Sequence, residues 1–389
     1  MIYLDHAATT PVKKDVLDAM LPYFTESFAN ASGSYSSARK ARSAMDAART
    51  QIAQAIGAKR TEIYFTSGGS ESDNWALFGA VRASGKKRII TTAIEHHAIL
   101  EACAALEHDR IEVAYAPVDS YGRVDLHSLR SLMTEETALV SVMLANNEVG
   151  TVQPVAEIAK IAHEFGALMH TDAVQAVGHI PVDIKADNID LLSLSGHKFH
   201  GPKGVGALYC KKGIRLPNLI EGGAQERNRR AGTENVPAIV GMAAALRSAC
   251  DNMEENTKKL VAMREQLIEG ILKIDLSRIN GDRERRLPGN VSACFEGVEG
   301  ESLLLYLDLM GISASSGSAC TSGSLDPSHV LLSIGLVHEV AHGSLRLSLC
   351  EENTPEEMEY ILEKLPPIID RLRDMSPLWE KIQKERGLI

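Results

Sequence analysis

Between about residues 60 and 210 the chain repeats one pattern: a short apolar run with few charges, then a longer amphipathic stretch. The runs are EIYFT (62–66), RIITT (88–92), IEVAYAPV (111–118), ALVSVML (138–144), ALMHTD (167–172), LLSLS (191–195) and VGALYC (205–210). Short runs rich in β-branched and aliphatic residues are strands covered on both faces. Helical spacing fills the gaps, for example at 70–84 and 154–165. Strands alternating with helices predict an α/β layer fold with a mostly parallel, seven-stranded sheet. In such sheets ligands sit at the carboxyl ends of the strands.

At 389 residues the chain exceeds what one hydrophobic core usually organises, so a second, smaller domain is expected. After about Val236 one long amphipathic stretch runs to roughly Ile274. Thr354-Pro355-Glu356-Glu357 then reads as a helix start, with Thr as N-cap and Pro in the first turn. The expected division is a large domain over 14–257 and a smaller α+β domain made of 1–13 and 258–389.

Charge and cysteine usage exclude some functions. Lys and Arg number 41 against 51 Asp and Glu, a net charge of -10, which argues against general nucleic-acid binding. The opening MIYLDHAATTP has no basic leader before an apolar run, and no uncharged apolar stretch is long enough to span a bilayer. The six cysteines contain no CxxC pair, so a reducing cytoplasm is expected, without a zinc or dithiol site.

The residues just past each strand carry the chemistry. After 62–66 comes Ser67-Gly68-Gly69-Ser70-Glu71; glycines at a strand-to-helix turn let backbone N–H groups meet an anion, although Ser70 could equally be a simple cap. After 88–92 comes Glu95-His96-His97, where a histidine could stack on a flat cofactor or move protons, or lie on the surface. After 138–144 come Asn146 and Asn147, a turn or a hydrogen-bonding pair. Asp172 ends the next run, with Gln175 three residues on; a carboxylate there needs a cationic or N–H partner, or acts as an N-cap. After 191–195 comes GHKFHGPKG (196–204). Lys198 follows a buried strand and a glycine, and desolvation there would make it a nucleophile and base. Ser195 and His197 flank it and could donate to a phosphate. His197 and His200 could be a metal pair, but no carboxylate or thiol near them in sequence completes a ligand set, so no metal site is expected.

These motifs together resemble the NifS/IscS-like cysteine desulfurases, in the class V branch of fold-type I pyridoxal 5′-phosphate (PLP) enzymes. The resemblance rests on YLDHAATTP (3–11), FTSGGSES (65–72), EHHAIL (95–100), ANNEVGTVQP (145–154), HTDAVQ (170–175), SLSGHKFHGPKGVGALY (193–209), RAGTEN (230–235), SSGSACTSGSLDPSHVL (315–331) and SLRLSL (344–349). It implies that Lys198 is the Schiff-base lysine, Asp172 the partner of the pyridine nitrogen and Gln175 that of the ring hydroxyl. His96 would stack on PLP and handle protons. Gly69, Ser70, Ser195 and His197 would hold the phosphate, with Thr233 reaching it from the other subunit of a homodimer. Asn147 and Arg346 would clamp the carboxylate of L-cysteine.

Cys320 stands between Ser313 and Ser324 in a segment with six serines and two glycines, which reads as a mobile loop over about 313–325. The resemblance makes Cys320 the nucleophile that takes sulfur as a persulfide. The long SSGSACTS form of its segment resembles the group serving iron–sulfur scaffold proteins and tRNA thiolation. The other five cysteines sit in patterned segments and read as packing residues. The chain departs from the family at Tyr35, where histidine is common, and at Cys350, where glycine is more frequent. Rival readings are a selenocysteine lyase or an aminotransferase on the same fold, and a non-catalytic scaffold; intact Lys198, Asp172 and His96 argue against the last.

Overall fold

A computed structural model gives the fold and describes residues 1–317 and 327–385. These residues contain twelve strands. In chain order they are β1 (Ile2–Tyr3), β2 (Ile63–Thr66), β3 (Arg88–Thr92), β4 (Glu112–Ala116), β5 (Thr137–Ser141), β6 (Leu168–Asp172), β7 (Leu191–Ser195), β8 (Gly206–Cys210), β9 (Ser277–Ile279), β10 (Asn290–Phe295), β11 (Ile312–Ser313) and β12 (Ser344–Ser348). Seven of them form one sheet in the order β2-β8-β7-β6-β5-β3-β4. The pairs among β3 to β7 and β3 with β4 are parallel, while β8 runs antiparallel to both neighbours. All seven expected runs are strands of this mixed, mostly parallel sheet, which makes the fold α/β as the alternation requires.

The run at 111–118 is shorter than expected because Val118 leaves the sheet to bridge Val124 across a turn. The amphipathic stretch from Val236 to Ile274 is two helices, Val236–Asp251 and Met253–Ile271. Asn252, at φ -106° and ψ 7°, is where they part. The break has a packing reason. The first helix buries Ile239, Met242 and Leu246 against the seven-stranded sheet. The second buries Leu260, Leu267 and Ile271 in a different apolar cluster with Leu4, Val291, Phe295 and Leu345. A single straight helix could not serve both cores.

That second core lies on a three-stranded antiparallel sheet, β12-β10-β9. The N-terminal residues join it: Leu4 is fully buried there, and Asp5 bridges Ser348 at the end of β12. The helix Pro355–Met375 starts as expected at Thr354, whose hydroxyl accepts the Glu357 N–H while the Glu357 carboxylate accepts the Thr354 N–H. No helix among the described residues is long and apolar enough to cross a membrane.

The segment expected to be a loop over 313–325 begins in regular pairing instead. Ser313 lies in β11 beside β1, and Ser315 exchanges backbone hydrogen bonds with Arg346. Serines and glycines carry little strand signal, but the backbone N–H and C=O groups pair regardless of side chain. Cys320 lies outside the described residues. Of the other cysteines, Cys103, Cys210, Cys294 and Cys350 are buried and Cys250 is half-buried.

Candidate active site

A cavity of about 260 Å³ opens at the carboxyl ends of the central strands. The turns after β2, β3, β6 and β7 deliver Gly69 and Ser70, His96, Asp172 and Gln175, and Ser195, His197 and Lys198 to its wall; Asn147 and Arg346 complete it. These residues are far apart in sequence, and the sheet order brings them together. Thr233 does not reach the cavity: it is exposed, just ahead of the helix Val236–Asp251.

Lys198 sits in a tight turn, Gly196–Lys198, directly after β7. Its Nζ donates to the carbonyls of Ala7 at 2.5 Å and Ala8 at 2.9 Å. The N-terminal strap that supplies these carbonyls is fastened to the same turn. The Thr10 N–H and hydroxyl both donate to the His197 carbonyl, and the Thr10 oxygen accepts the His200 N–H. Gln175 Nε2 donates to Ala7 O at 3.0 Å, and His179 Nε2 donates to the Lys198 carbonyl at 2.9 Å. The strap was legible as a motif, but its contact with the lysine was not, because nothing in YLDHAATTP marks a backbone carbonyl as a ligand.

Asp172 ends β6 opposite Ser193 of β7. One oxygen accepts the Val174 N–H at 2.9 Å. Burial pushes its carboxyl up to about 6, against the opposing pull of the Lys198 ammonium. Such a buried carboxylate gains most from a cationic N–H partner. Gly69, at the start of the helix Gly69–Ser84, has no room for a side chain: a Cβ there would lie 2.8 Å from Val174 Cγ2. The helix N-terminus therefore packs against the Asp172 turn, with Ser70, Ser195 and His197 beside it, an arrangement suited to an anion.

His96 is the N-cap of the helix His97–His108, and its Nδ1 accepts the Ala98 N–H at 3.1 Å. That bond fixes Nδ1 as the unprotonated nitrogen and leaves the proton on Nε2. Burial, with Lys198 and His97 adding, lowers its pKa to about 4, so the ring is neutral at physiological pH.

Arg346 projects from β12, with Nη2 on Asp5 Oδ1 at 2.8 Å and Nη1 on the Asn147 carbonyl at 3.1 Å. Three buried polar atoms of the wall residues have no hydrogen-bond partner: Arg346 Nε, Asn147 Oδ1 and Asp73 Oδ1. Buried polar groups are ordinarily satisfied, so Arg346 Nε and Asn147 Oδ1 suit a polar ligand, while Asp73 Oδ1 lies 3.7 Å from the buried His170 Nε2. Asp73 was missed from the sequence. It is an acid on the inner face of the helix Gly69–Ser84, and burial followed by the charge of Asp172 raises its pKa well above the carboxylate range.

The two chain ends that flank residues 318–326 also come here. Glu148, next to Asn147, accepts the Ser328 hydroxyl, and a Cβ on Gly317 would lie 2.8 Å from the same Glu148 oxygen. His329 Nε2 donates to the carbonyl of Glu95, the neighbour of His96.

The family profile described as aminotransferase class-V matches residues 2–361. A protein named cysteine desulfurase IscS from Methanosarcina thermophila is 54% identical over 382 residues, 98% of this chain and 95% of that one. One named cysteine desulfurase NifS from Azotobacter vinelandii is 46% identical over 381 residues, 97% and 95% of the two chains. Among solved structures, a NifS-like protein superposes with a TM-score of 0.90 at 39% identity, covering 95% of this chain and all of the other. The apo cysteine desulfurase from Thermococcus onnurineus NA1 gives 0.85 at 28% identity, with 95% of each chain covered.

Proposed function

The chain belongs to the class-V aminotransferase family as a PLP-dependent cysteine desulfurase, and on that basis we propose that it passes the sulfur of L-cysteine through Cys320 to a protein acceptor. The observation that carries the reading is the convergence of Lys198, Asp172, His96, Asn147 and Arg346 on one cavity, with Arg346 Nε and Asn147 Oδ1 buried there without hydrogen-bond partners. The cavity fits PLP: it joins a helix N-terminus flanked by hydroxyls, a buried carboxylate and a lysine amine. Bound there, PLP supplies an electron sink for bond changes at the α and β carbons of the substrate.

The protein's own residues divide the remaining work. Asp172 accepts the pyridine N–H and keeps that nitrogen protonated, with Gln175 at the ring hydroxyl. Ser70, Ser195 and His197 hold the phosphate at the helix start. Arg346, oriented by Asp5, and Asn147 take the substrate carboxylate, which satisfies Arg346 Nε. Lys198 removes the α-proton and returns it. His96, neutral with its proton on Nε2, is set to donate. The Cys320 thiolate attacks the substrate sulfur: a sulfur–sulfur bond forms, the carbon–sulfur bond breaks, and the electron pair left on Cβ takes a proton, giving alanine. Glu148 holds Ser328 and packs against Gly317, so it fixes both ends from which Cys320 works.

The proposal extends to a homodimer in which Thr233 reaches the partner's phosphate site, to a cytoplasmic location, and to a large domain over 14–257 with a smaller one from 1–13 and 258–389. The acceptor is an iron–sulfur scaffold or a tRNA-thiolation protein. The test incubates the enzyme with radiolabelled L-cysteine and adds each acceptor class. Label first on the enzyme chain and then on one acceptor supports the reading. Alanine formation with no label ever on the chain overturns it.

Asp172 gives a pH prediction with a defined sign. Its carboxyl, raised by burial, loses its charge on acidification at a higher pH than an exposed aspartate would. The ring-nitrogen contact weakens with it, so PLP binding to the apo-protein weakens on acidification. Asp172→Asn is expected to flatten this dependence in fluorescence titrations with PLP. An equally steep acid decline in the variant would remove Asp172 as its cause.

A further inference from the structure

A second cluster of ligating side chains lies behind the lysine turn, outside the cavity wall. A ring nitrogen of His200, Cys350 Sγ and a Glu351 carboxylate oxygen all lie within 4.8 Å of one another. They come from distant parts of the chain: His200 follows Lys198 by two residues, and Cys350 and Glu351 follow β12, the strand that carries Arg346. We propose that His200, Cys350 and Glu351 form a binding site for a thiophilic divalent cation of the zinc class.

Four observations carry this. His200 Nε2 and Glu351 Oε2 are 3.6 Å apart, too far for a hydrogen bond. Two ligands of a tetrahedral zinc ion stand about 3.3–3.8 Å apart, given metal–ligand distances of about 2.0–2.3 Å. The His200 ring is already oriented: Nδ1 donates to the Pro11 carbonyl at 3.0 Å, which turns Nε2 toward Glu351, and an ion there would replace the proton that Cys350 and Glu351 hold on this ring. A backbone carbonyl on the second nitrogen is the usual outer partner of a metal-bound imidazole. His200 also holds a left-handed backbone, φ 66°, unusual for a residue with a side chain. The sulfur and the carboxylate have outer partners of the same kind. The Glu352 N–H points at Cys350 Sγ at 3.4 Å, and the Lys13 ammonium pairs with Glu351 Oε1, leaving Oε2 toward His200. Finally, His6 has its ring centroid 6.1 Å from that of His200, and its Nδ1 is buried without a hydrogen-bond partner.

A thiolate with an imidazole selects soft or borderline ions over magnesium or calcium. Binding sends the Cys350 thiol proton, and any proton on His200 Nε2, to solvent. The ion would staple the Lys198 turn to the exit of β12, and so fix the distance between the lysine and Arg346. The expectation from sequence that no metal binds rested on the lack of a thiol or carboxylate near His200 in the chain; folding supplies both from residues 350 and 351. The competing arrangement is a proton network in which a protonated His200 and the Lys13 ammonium share the Glu351 carboxylate without an ion.

The test titrates Co²⁺ into holoenzyme carrying Cys320→Ala, so that this thiol cannot compete, with no L-cysteine present. Expected are intense visible bands of tetrahedral cobalt bound to a thiolate, saturating at one ion per chain and erased by Zn²⁺. Adding Cys350→Ala is expected to abolish them. Should that variant fail to fold, Glu351→Gln, at a partly exposed side chain, is expected to weaken binding at least about tenfold. Absence of the bands in the parent, or bands unchanged in intensity and affinity by either variant, overturns the site.

Discussion

Lys198→Ala is expected to reduce turnover of L-cysteine by about 10⁴-fold or more, because it removes both the covalent anchor of PLP and the base that moves the α-proton. The fold should survive. The Lys198 side chain is half-buried, and its ammonium donates to two backbone carbonyls, Ala7 and Ala8, in a strap independently held by Thr10 and Gln175. Two measurements together check this. Circular dichroism should match the parent, and borohydride reduction followed by peptide mapping should find PLP on the 196–204 peptide of the parent and none on the variant. Turnover within about tenfold of the parent would be too small a loss for a general base and would move the catalytic lysine elsewhere.

Cys320→Ala is the second large effect. With the thiol gone, sulfur leaving the substrate has no acceptor on the chain, so transfer of radiolabelled sulfur should fall by at least about 10²-fold, as expected for loss of a nucleophile. PLP content and L-cysteine binding should persist, since the described residues of the cavity wall supply the groups for both. Running L-selenocysteine beside L-cysteine separates the nearest rival. Selenium leaves more readily than sulfur, so a selenocysteine lyase would keep its activity on the selenium substrate while losing sulfur transfer. Full sulfide and alanine release from L-cysteine by the variant would sink the role given to Cys320.

Most of the sheet was legible because buried strands have a local signature. A run such as LLSLS reads as β-rich whatever its partners, and β7 occupies all five of its positions. The helix break at Asn252 was not legible. Both flanking stretches are amphipathic, and only the need to pack against two different cores separates them. Pairing of Ser313 and Ser315 was invisible for the converse reason: backbone bonds to Leu4 and Arg346 do the ordering, without any apolar pattern.

The candidate site divides along the same line. Sequence alone determined which groups stand at strand ends: Asp172 closing β6, Lys198 after β7, His96 after β3. A buried apolar run shows where a strand stops, and so which residues stand at its exit. Tertiary structure decided the contacts between residues far apart in the chain. Ala7 meets Lys198 across 191 positions, Asp5 orients Arg346 across 341, and Asp73 lies on a cavity wall with Asp172. It also brought Cys350 and Glu351 to His200. Local propensity cannot encode such meetings. They depend on strand order and on how two cores stack, which are properties of the whole chain's packing.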